Sequence, residues 1–177
     1  SPSILAYARD HGIAIFEINT PNSKSFQEEL KRLQPDVIIN QSQSIIKKQL
    51  LEIPTIGVIN RHNALLPLNR GRLTPFWVLY RGESETGVSI HFVEEGIDSG
   101  DIIVQKRIPV SKRETFRSLV KKNYRIAPVA MLEALDRLEK GENDYIENPD
   151  ELATYNTTPT LREAWRYRMN FLKKLIK

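Results

Sequence analysis

Short apolar runs alternate with amphipathic stretches in the first third of the chain. The apolar runs predict buried strands over residues 13–16, 36–40 and 55–59. Apolar residues at helical spacing predict helices over residues 4–11, from about 23 to 33, and over 44–51. Gly12 and Pro35 end the first two helices, since glycine favours a helix C-terminus and the residue before proline avoids helix. This order predicts an α/β fold with a mostly parallel sheet and flanking helices.

The second part of the chain begins with a long polar loop and then returns to regular patterns. These predict a helix over residues 74–80, strands over 87–93 and 102–108, and a long helix over 115–140. Residues 142–159 are polar, with two prolines and three asparagines, and predict an extended strap over the surface. We therefore divide the chain into an α/β body, residues 1–141, and a strap with a C-terminal helix, residues 142–177.

The C-terminal helix, predicted over Thr160–Lys177, opens with a capping box formed by Thr160 and Glu163. Its apolar residues form one stripe, made of Leu161, Trp165, Met169 and Leu172. A tryptophan in such a stripe can bury a large apolar area. We expect the stripe to be buried, either on the α/β body or against a second subunit of a homodimer.

The composition narrows the classes of function. The chain has 177 residues with 40% hydrophobic content, which predicts a single domain with one core. It has no cysteine and only three histidines, so we expect no disulfide, no thiolate nucleophile and no metal site. No run of 18 apolar residues occurs, and we expect neither a membrane span nor a signal peptide, and a cytoplasmic location.

Positive charge is concentrated in the last 18 residues, 160–177, which we call the tail. The net charge is +4, and residues 160–177 contribute +5 of it, which leaves the rest of the chain at −1. A nearly neutral body is not typical of a domain that binds nucleic acid along its length. The basic residues of the tail could meet a phosphate-bearing acceptor, but a solvated face above a docked apolar stripe is the favoured interpretation.

Two polar motifs follow predicted strands. In the first, residues 57–71, Asn60 and His62 come at the end of a strand and are followed by Leu-Leu-Pro and Arg-Gly. In the second, residues 86–103, a strand leads into the loop Gly96-Ile97-Asp98-Ser99-Gly100. Ligands bind at the carboxyl ends of strands in open α/β sheets, so both motifs lie where a site is expected. There is no Gly-x-Gly-x-x-Gly and no Walker loop.

The paired motifs resemble those of the folate-dependent formyltransferases, the superfamily of the methionyl-tRNA, glycinamide-ribonucleotide and sugar-amine enzymes. The resemblance extends from residue 1 to about Gly141 and implies a Rossmann-like fold. It also implies that Asn60, His62 and Asp98 are the catalytic residues and that 10-formyltetrahydrofolate is the formyl donor. In this interpretation Asn60 and a protonated His62 donate to the oxyanion on the formyl oxygen, and Asp98 favours the imidazolium and helps to remove a proton. Taken singly, each residue could also be a turn or surface residue.

The same resemblance places the folate against two strand ends. One segment is residues 41–46, and the other is the loop 93–97. The predicted folate-binding residues are Ser44, Ile45, Ile46, Val93, Glu94, Glu95, Gly96 and Ile97. The isoleucines suit a flat ring, although ordinary core positions explain them equally well. His91 is expected to pack beside the site, where its ring could orient a neighbour.

The chain departs from the family pattern at two places. Ala64, after Asn63, stands where the family usually has serine, which affects acceptor positioning more than activity. The chain also begins at a point that matches the helix after the family's second strand. We therefore expect the leading βαβ unit to be absent and the catalytic domain, residues 1–141, to be incomplete.

The acceptor is an amine, and a nucleotide-linked amino sugar is our first expectation, because the region of Asn69, Arg70, Gly71 and Trp77 is most similar to that branch. Formylation of methionyl-tRNA is the disfavoured alternative, since the residues after Gly141 are too few for the family's tRNA-binding domain. A non-catalytic remnant that binds folate or a partner is the second alternative.

Overall fold

The computed structural model describes residues 3–42 and 44–176. Its helices are α1 (Ile4–Asp10), α2 (Lys24–Leu33), α3 (Lys48–Leu51), α4 (Thr74–Arg81), α5 (Phe116–Glu139) and α6 (Leu161–Ile176). Its strands are β1 (Val37–Asn40), β2 (Gly57–His62), β3 (Arg70–Gly71), β4 (Glu85–Phe92), β5 (Ile102–Pro109) and β6 (Tyr155–Asn156). A short 3-10 turn lies at Asp150–Leu152.

Four strands form the main sheet in the order β1, β2, β4, β5. Strands β1 and β2 are parallel, whereas β2 with β4 and β4 with β5 are antiparallel. The α/β class with flanking helices is confirmed, but the sheet is mixed rather than mostly parallel as predicted. Only nine residues connect β4 to β5, and a parallel pair needs a crossover of a dozen or more.

Helices cover both faces of this sheet. On one face, α5 lies against β4 and β5 through its small residues Ala127, Ala130 and Ala134, which pack on sheet residues that include Ile59 and Ile90. On the other face, Leu30 of α2 and Leu50 of α3 pack with Val58. Val58 and Ile59 are adjacent in β2 and so point to opposite faces. The result is a three-layer body.

Two predicted elements differ in the structure. Residues 13–16, predicted as a strand, have no regular structure, and Ile13, Ile15 and Phe16 are 54%, 40% and 44% exposed. An apolar run becomes a strand only where a neighbouring strand accepts its hydrogen bonds, and no described residue does so here. The predicted helix over 44–51 is limited to Lys48–Leu51, since Asn22 holds the segment before it by bonds to Ile45 O and Lys47 N.

Residues 142–159, which we call the strap, run back over the body as predicted. Ile146 exchanges two backbone hydrogen bonds with Ile102. Further along, β6 pairs in parallel with β3, so that Gly71 lies opposite Asn156. The indole N–H of Trp77 donates to the carbonyl of Thr157 at 2.9 Å. The strap is thus attached along its length to the edge of the body.

Helix α6 begins at the predicted capping box, in which Glu163 accepts from the Thr160 N–H at 2.7 Å. The predicted burial of its apolar stripe on this body is wrong: Leu161 is 92%, Trp165 66% and Leu172 44% exposed, and Met169 is half-buried. Tyr167 instead packs on Phe76 of α4, with 5.3 Å between ring centroids. Aromatic partners on α4 therefore select a different face of the helix. Burial of the stripe in a homodimer stays a prediction, and Lys177 lies outside the described residues.

Candidate active site

Asn60 and His62 lie two residues apart at the end of β2, so their side chains project from the same face of the strand. Asn60 is opposite Asn40 of β1 and His91 of β4 in the sheet register. Cross-strand partners share a face, which brings four polar side chains together where β1 ends. This is the strand-end position at which the sequence predicted a site.

The loop after β4 brings Asp98 to the two histidines. Asp98 Oδ2 lies 3.4 Å from His62 Nδ1, and its Oδ1 lies 3.6 Å from His91 Nε2. The backbone N–H of Gly71 donates to Oδ2 at 2.8 Å. His91 is almost fully buried, and its Nδ1–H donates to the carbonyl of Phe92 at 2.7 Å, which turns Nε2 toward Asp98. The carboxylate therefore lies between two imidazoles and accepts a hydrogen bond from a backbone amide.

The protonation of this cluster follows from its burial. Burial alone would raise the pKa of Asp98, but contact with His91, the charge of His62 and the Gly71 N–H lower the pKa to about 2. Burial lowers the pKa of His62 below its ordinary 6.5, although the Asp98 carboxylate and the Asn69 carbonyl oppose this effect. At neutral pH the site thus contains an ionised Asp98 beside a neutral His62.

The neutral ring differs from the protonated His62 expected from the sequence. His62 Nε2 lies 2.8 Å from the carbonyl of Asn69, which can only accept, so Nε2 carries the hydrogen. The lone pair is then on Nδ1, the atom that lies next to Asp98. Because only 6% of His62 is exposed, loss of hydration outweighs the attraction of the carboxylate. His62 is therefore built to receive a proton at Nδ1.

Gln41 orients the amide of Asn60. Its Nε2 donates to Asn60 Oδ1 at 3.2 Å, while its Oε1 accepts from Arg61 Nε at 3.0 Å. Among the described residues, Asn60 Nδ2 has no hydrogen-bond partner. The donor end of the Asn60 amide is consequently free for a ligand.

A cleft of about 850 Å³ opens in front of these residues. All of the predicted site residues line it: Asn60, His62, Asp98, Ser44, Ile45, Ile46, Val93, Glu94, Glu95, Gly96 and Ile97. Ile45 and Ile97 are 79% and 59% exposed, so they offer apolar surface to a ligand. Ile46 is 7% exposed and belongs to the core with Leu50, as the alternative interpretation of the isoleucines had it. Gln43, in the predicted folate segment, lies outside the described residues.

Sequence reasoning missed the groups that support the site. The predicted motifs contained Asn69 and Arg70, but not the bond from His62 to the Asn69 carbonyl or the complete burial of Arg70. Asn148 of the strap was not singled out at all. The Arg-Gly pair was the available signal for Arg70, whereas nothing in the polar strap distinguished Asn148 from its neighbours.

The described residues offer neither a metal site nor a membrane-spanning helix. They contain no group of three or more His, Asp or Glu side chains placed to hold a metal ion. None of their helices combines the length and the apolar character needed to cross a membrane.

The fold and the cleft define an α/β protein with an asparagine, a histidine and an aspartate gathered at the strand ends. Residues 4–135 match the formyl transferase family. The chain belongs to this family.

Individual relatives agree with this assignment. Methionyl-tRNA formyltransferase of Kosmotoga olearia is 36% identical over 149 residues, which cover 84% of this chain and 48% of that protein. This chain spans about half the length of the curated relatives that it matches.

Solved structures extend the similarity. Phosphoribosylglycinamide formyltransferase from Bacillus halodurans has a TM-score of 0.68 and 25% identity, over 81% of this chain and 79% of that one. The N-formyltransferase of Helicobacter canadensis, solved with folinic acid and dTDP-3-aminofucose, has a TM-score of 0.69 and 21% identity, over 99% and 66% of the two chains. The second likeness, at its low identity, is one of fold.

Proposed function

We propose that this chain transfers a formyl group from 10-formyltetrahydrofolate to the amine of an acceptor. The observation that carries the proposal is that Asn60, His62 and Asp98 line the same cleft as the residues expected to bind folate. Its volume, about 850 Å³, is in the range of pockets for small molecules and cofactors. Membership of the formyl transferase family and a relative solved with folinic acid support the donor.

The donor would lie between two strand ends. Ile45 and Ile97 line the cleft and offer exposed apolar surface, which suits the flat pterin ring. Backbone groups of the loop 93–97 suit the amide-like edge of the ring.

The geometry suggests an order of chemical steps. The acceptor nitrogen attacks the formyl carbon, a new carbon–nitrogen bond forms, and the carbonyl electrons move onto oxygen. Asn60 Nδ2 donates to this oxyanion. The proton released by the acceptor nitrogen passes to Nδ1 of neutral His62, directly or through a water, and Asp98 stabilises the resulting imidazolium. The oxyanion electrons then re-form the carbonyl as the bond between the formyl carbon and N10 breaks, and the His62 imidazolium gives its proton to N10, directly or through a water. The products are the formylated amine and tetrahydrofolate, and His62 is neutral again.

A nucleotide-linked amino sugar is the acceptor that we propose. One relative of the same fold was solved with dTDP-3-aminofucose, and its likeness covers 99% of this chain, including the strap and α6. The residues that first suggested this branch have structural contacts here: Arg70 is fully buried and Trp77 is 8% exposed. They support the strap, so the acceptor would be recognised by side chains of the cleft itself.

Methionyl-tRNA is the second candidate acceptor, favoured by the identity of 36% to a methionyl-tRNA formyltransferase. Binding through phosphate contacts would make the affinity fall steeply with salt. Several phosphate contacts would lower the affinity strongly between roughly 50 and 200 mM salt. An affinity for tRNA that does not change over this range would count against this candidate.

Replacement of His62 by alanine tests the proposed activity. We expect His62→Ala to lower kcat/KM by about 100- to 1000-fold, the scale of a lost transition-state group, with folate affinity retained. His11→Ala, at an exposed histidine that does not line the cleft, is the matched control. Absence of turnover in the unaltered chain with every amine tested, despite folate binding, would instead favour a non-catalytic folate-binding protein.

A further inference from the structure

Asn148 joins the strap to the loop that carries Asp98. Its side chain is 7% exposed, and its Nδ2 group donates to the carbonyl of Asp98 at 2.8 Å and to that of Gly100 at 2.9 Å. One side chain therefore uses both of its N–H groups on the Asp98 loop. These contacts connect residues 50 and 48 positions apart in the chain.

Arg70 fixes the direction of this amide. Arg70 Nη2 donates to Asn148 Oδ1 at 2.9 Å and to the Asn148 carbonyl at 2.8 Å. Its Nη1 donates to Asp150 at 2.6 Å and to the Tyr155 hydroxyl at 3.0 Å. With its oxygen bound to a guanidinium, the amide of Asn148 can only present its N–H groups to the loop.

The Asp98 backbone has a φ of +49°, in the left-handed region, which costs energy for a residue with a Cβ, although aspartate tolerates it better than most. The side chain emerges from this conformation toward His62 and His91, while the Asn148 bonds hold the two carbonyls that flank Ser99. Relaxation of the loop would change the direction of the carboxylate.

We propose that Asn148 is a positioning residue for formyl transfer, which acts through the Asp98 backbone to hold the carboxylate between His62 and His91. This inference rests on the proposed function. It assigns the strap a part in the chemistry, beyond attachment of the chain to the body. Asn148 does not line the cleft of the candidate active site and so acts through Asp98 alone.

Two substitutions separate positioning from packing. Asn148→Asp keeps the shape and the Arg70 contact but loses both N–H donors, and Asn148→Ala loses the whole amide. We expect each to lower kcat by about 10- to 100-fold, as small misplacements of a reacting group do, with folate Kd unchanged within about twofold. Asn143→Ala, at an exposed asparagine of the same strap, should behave as the unaltered chain.

A second measurement needs no turnover. Asp98 raises the pKa of His62, while His91, Arg70 and burial lower it, so displacement of the Asp98 carboxylate should lower the His62 titration midpoint further. Histidine nitrogen NMR of the full chain can follow this midpoint. The expected result is a downward shift in Asn148→Ala, which adds no charge near His62, and none in Asn143→Ala.

Three results would overturn the proposal: an Asn148→Ala protein with unchanged kcat and unchanged His62 midpoint, equal losses of kcat and folate affinity, or unfolding of both Asn148 variants at the assay temperature. The second would mean that Asn148 supports folate binding, and the third that it acts on the fold alone. If the unaltered chain formylates no amine, the proposed function fails, whereas the NMR titration still decides whether Asn148 holds Asp98.

Discussion

The lowered pKa of His62 sets the pH dependence expected of the reaction. If neutral His62 receives the proton, kcat/KM should be level near neutrality and fall as the pH drops through a value below 6.5. A protonated His62 acting as oxyanion donor would give the reverse, a rate that increases as the pH falls through this range. The measurement is kcat/KM from pH 5 to 8, roughly the range of histidine titration, after correction for the separately measured titration of the acceptor amine.

The lowered pKa of Asp98 leads to a second prediction, which concerns the stability of the fold. Its pKa is about 2 in the folded chain and 3.8 ordinarily, so its ionised form stabilises the fold above pH 3.8, and this stabilisation is lost as the pH falls toward 2. The difference corresponds to on the order of 2 kcal/mol. An Asp98→Asn variant lacks this stabilisation, because its amide does not ionise.

Urea unfolding of the variant beside the unaltered chain provides the measurement. We expect Asp98→Asn to be less stable than the unaltered chain just above pH 3.8 and the gap to narrow between pH 3.8 and 2. A gap that is constant across this window would mean that the carboxylate charge does not stabilise the fold.

At this scale the sequence predicted the grouping of three residues but not the contacts that support them. The resemblance to the formyltransferases implied that Asn60, His62 and Asp98 lie together, and all three line one cleft. The bonds of Arg70 to Asn148 span 78 positions, and no local pattern indicates which strap residue an arginine will reach. The protonation of His62 also escaped prediction, because it depends on burial in the folded chain.

Helix α5 illustrates how packing sets the stability of an element. Leu119 is fully buried and packs with Val78 and Ile108, whereas Leu132 of the same helix is 68% exposed. We expect Leu119→Ala to lower the free energy of unfolding by about 2 to 5 kcal/mol, since it creates a cavity. Leu132→Ala should cost less than about 1 kcal/mol. Chemical denaturation measures the free energy of unfolding of both variants. Equal decreases in this free energy would contradict the packing described for α5.

Helix α6 has two faces with different expected roles. Tyr167 packs on Phe76, so Tyr167→Ala should lower Tm by several degrees, on the scale of about 1 to 3 kcal/mol for a partly buried aromatic side chain. Trp165 is 66% exposed, so Trp165→Ala should leave the Tm of a monomer unchanged. If the stripe joins two copies, Trp165→Ala should convert dimer to monomer.

Light scattering with size-exclusion chromatography distinguishes these outcomes. A chain that ends at Pro159 serves as the control without the whole helix. Equal masses and equal Tm for the intact and shortened chains would show that α6 neither stabilises the body nor forms an interface.

The elements themselves were predicted to different extents. The patterns of α4, β4, β5 and α5 identified each within a few residues, although α4 and β4 are each buried over six consecutive residues and not on one face alone. Residues 13–16 have an equally apolar pattern, but a strand also requires a neighbour, and the pattern of one segment does not reveal it. The helix over 44–51 was overextended because Asn22, far away in sequence, fixes its first half in another conformation.

At the scale of the whole molecule, strand direction was the feature that sequence order left undetermined. The alternation of strands and helices is typical of a parallel sheet, and it does produce the β1–β2 pair. The segment between β2 and β4 contains β3 and α4, so its length permits either direction. The short β4–β5 connection was a usable signal for an antiparallel pair. Asn60 and His62 lie at the end of β2 as predicted, whereas Asp98 reaches them through the loop after the antiparallel strand β4.

The contact between Gly71 and Asn156 has a consequence for how the chain tolerates change. Gly71 has a φ of +92°, and a Cβ at this position would lie 2.3 Å from the backbone oxygen of Asn156. Every substitution therefore strains the backbone and pushes the strap away from the body. In a saturation mutagenesis experiment selected for activity, Gly71 should be as depleted of variants as His62, although it contributes no side chain. Positions that tolerate no mutation would then mark where two segments of backbone are in contact.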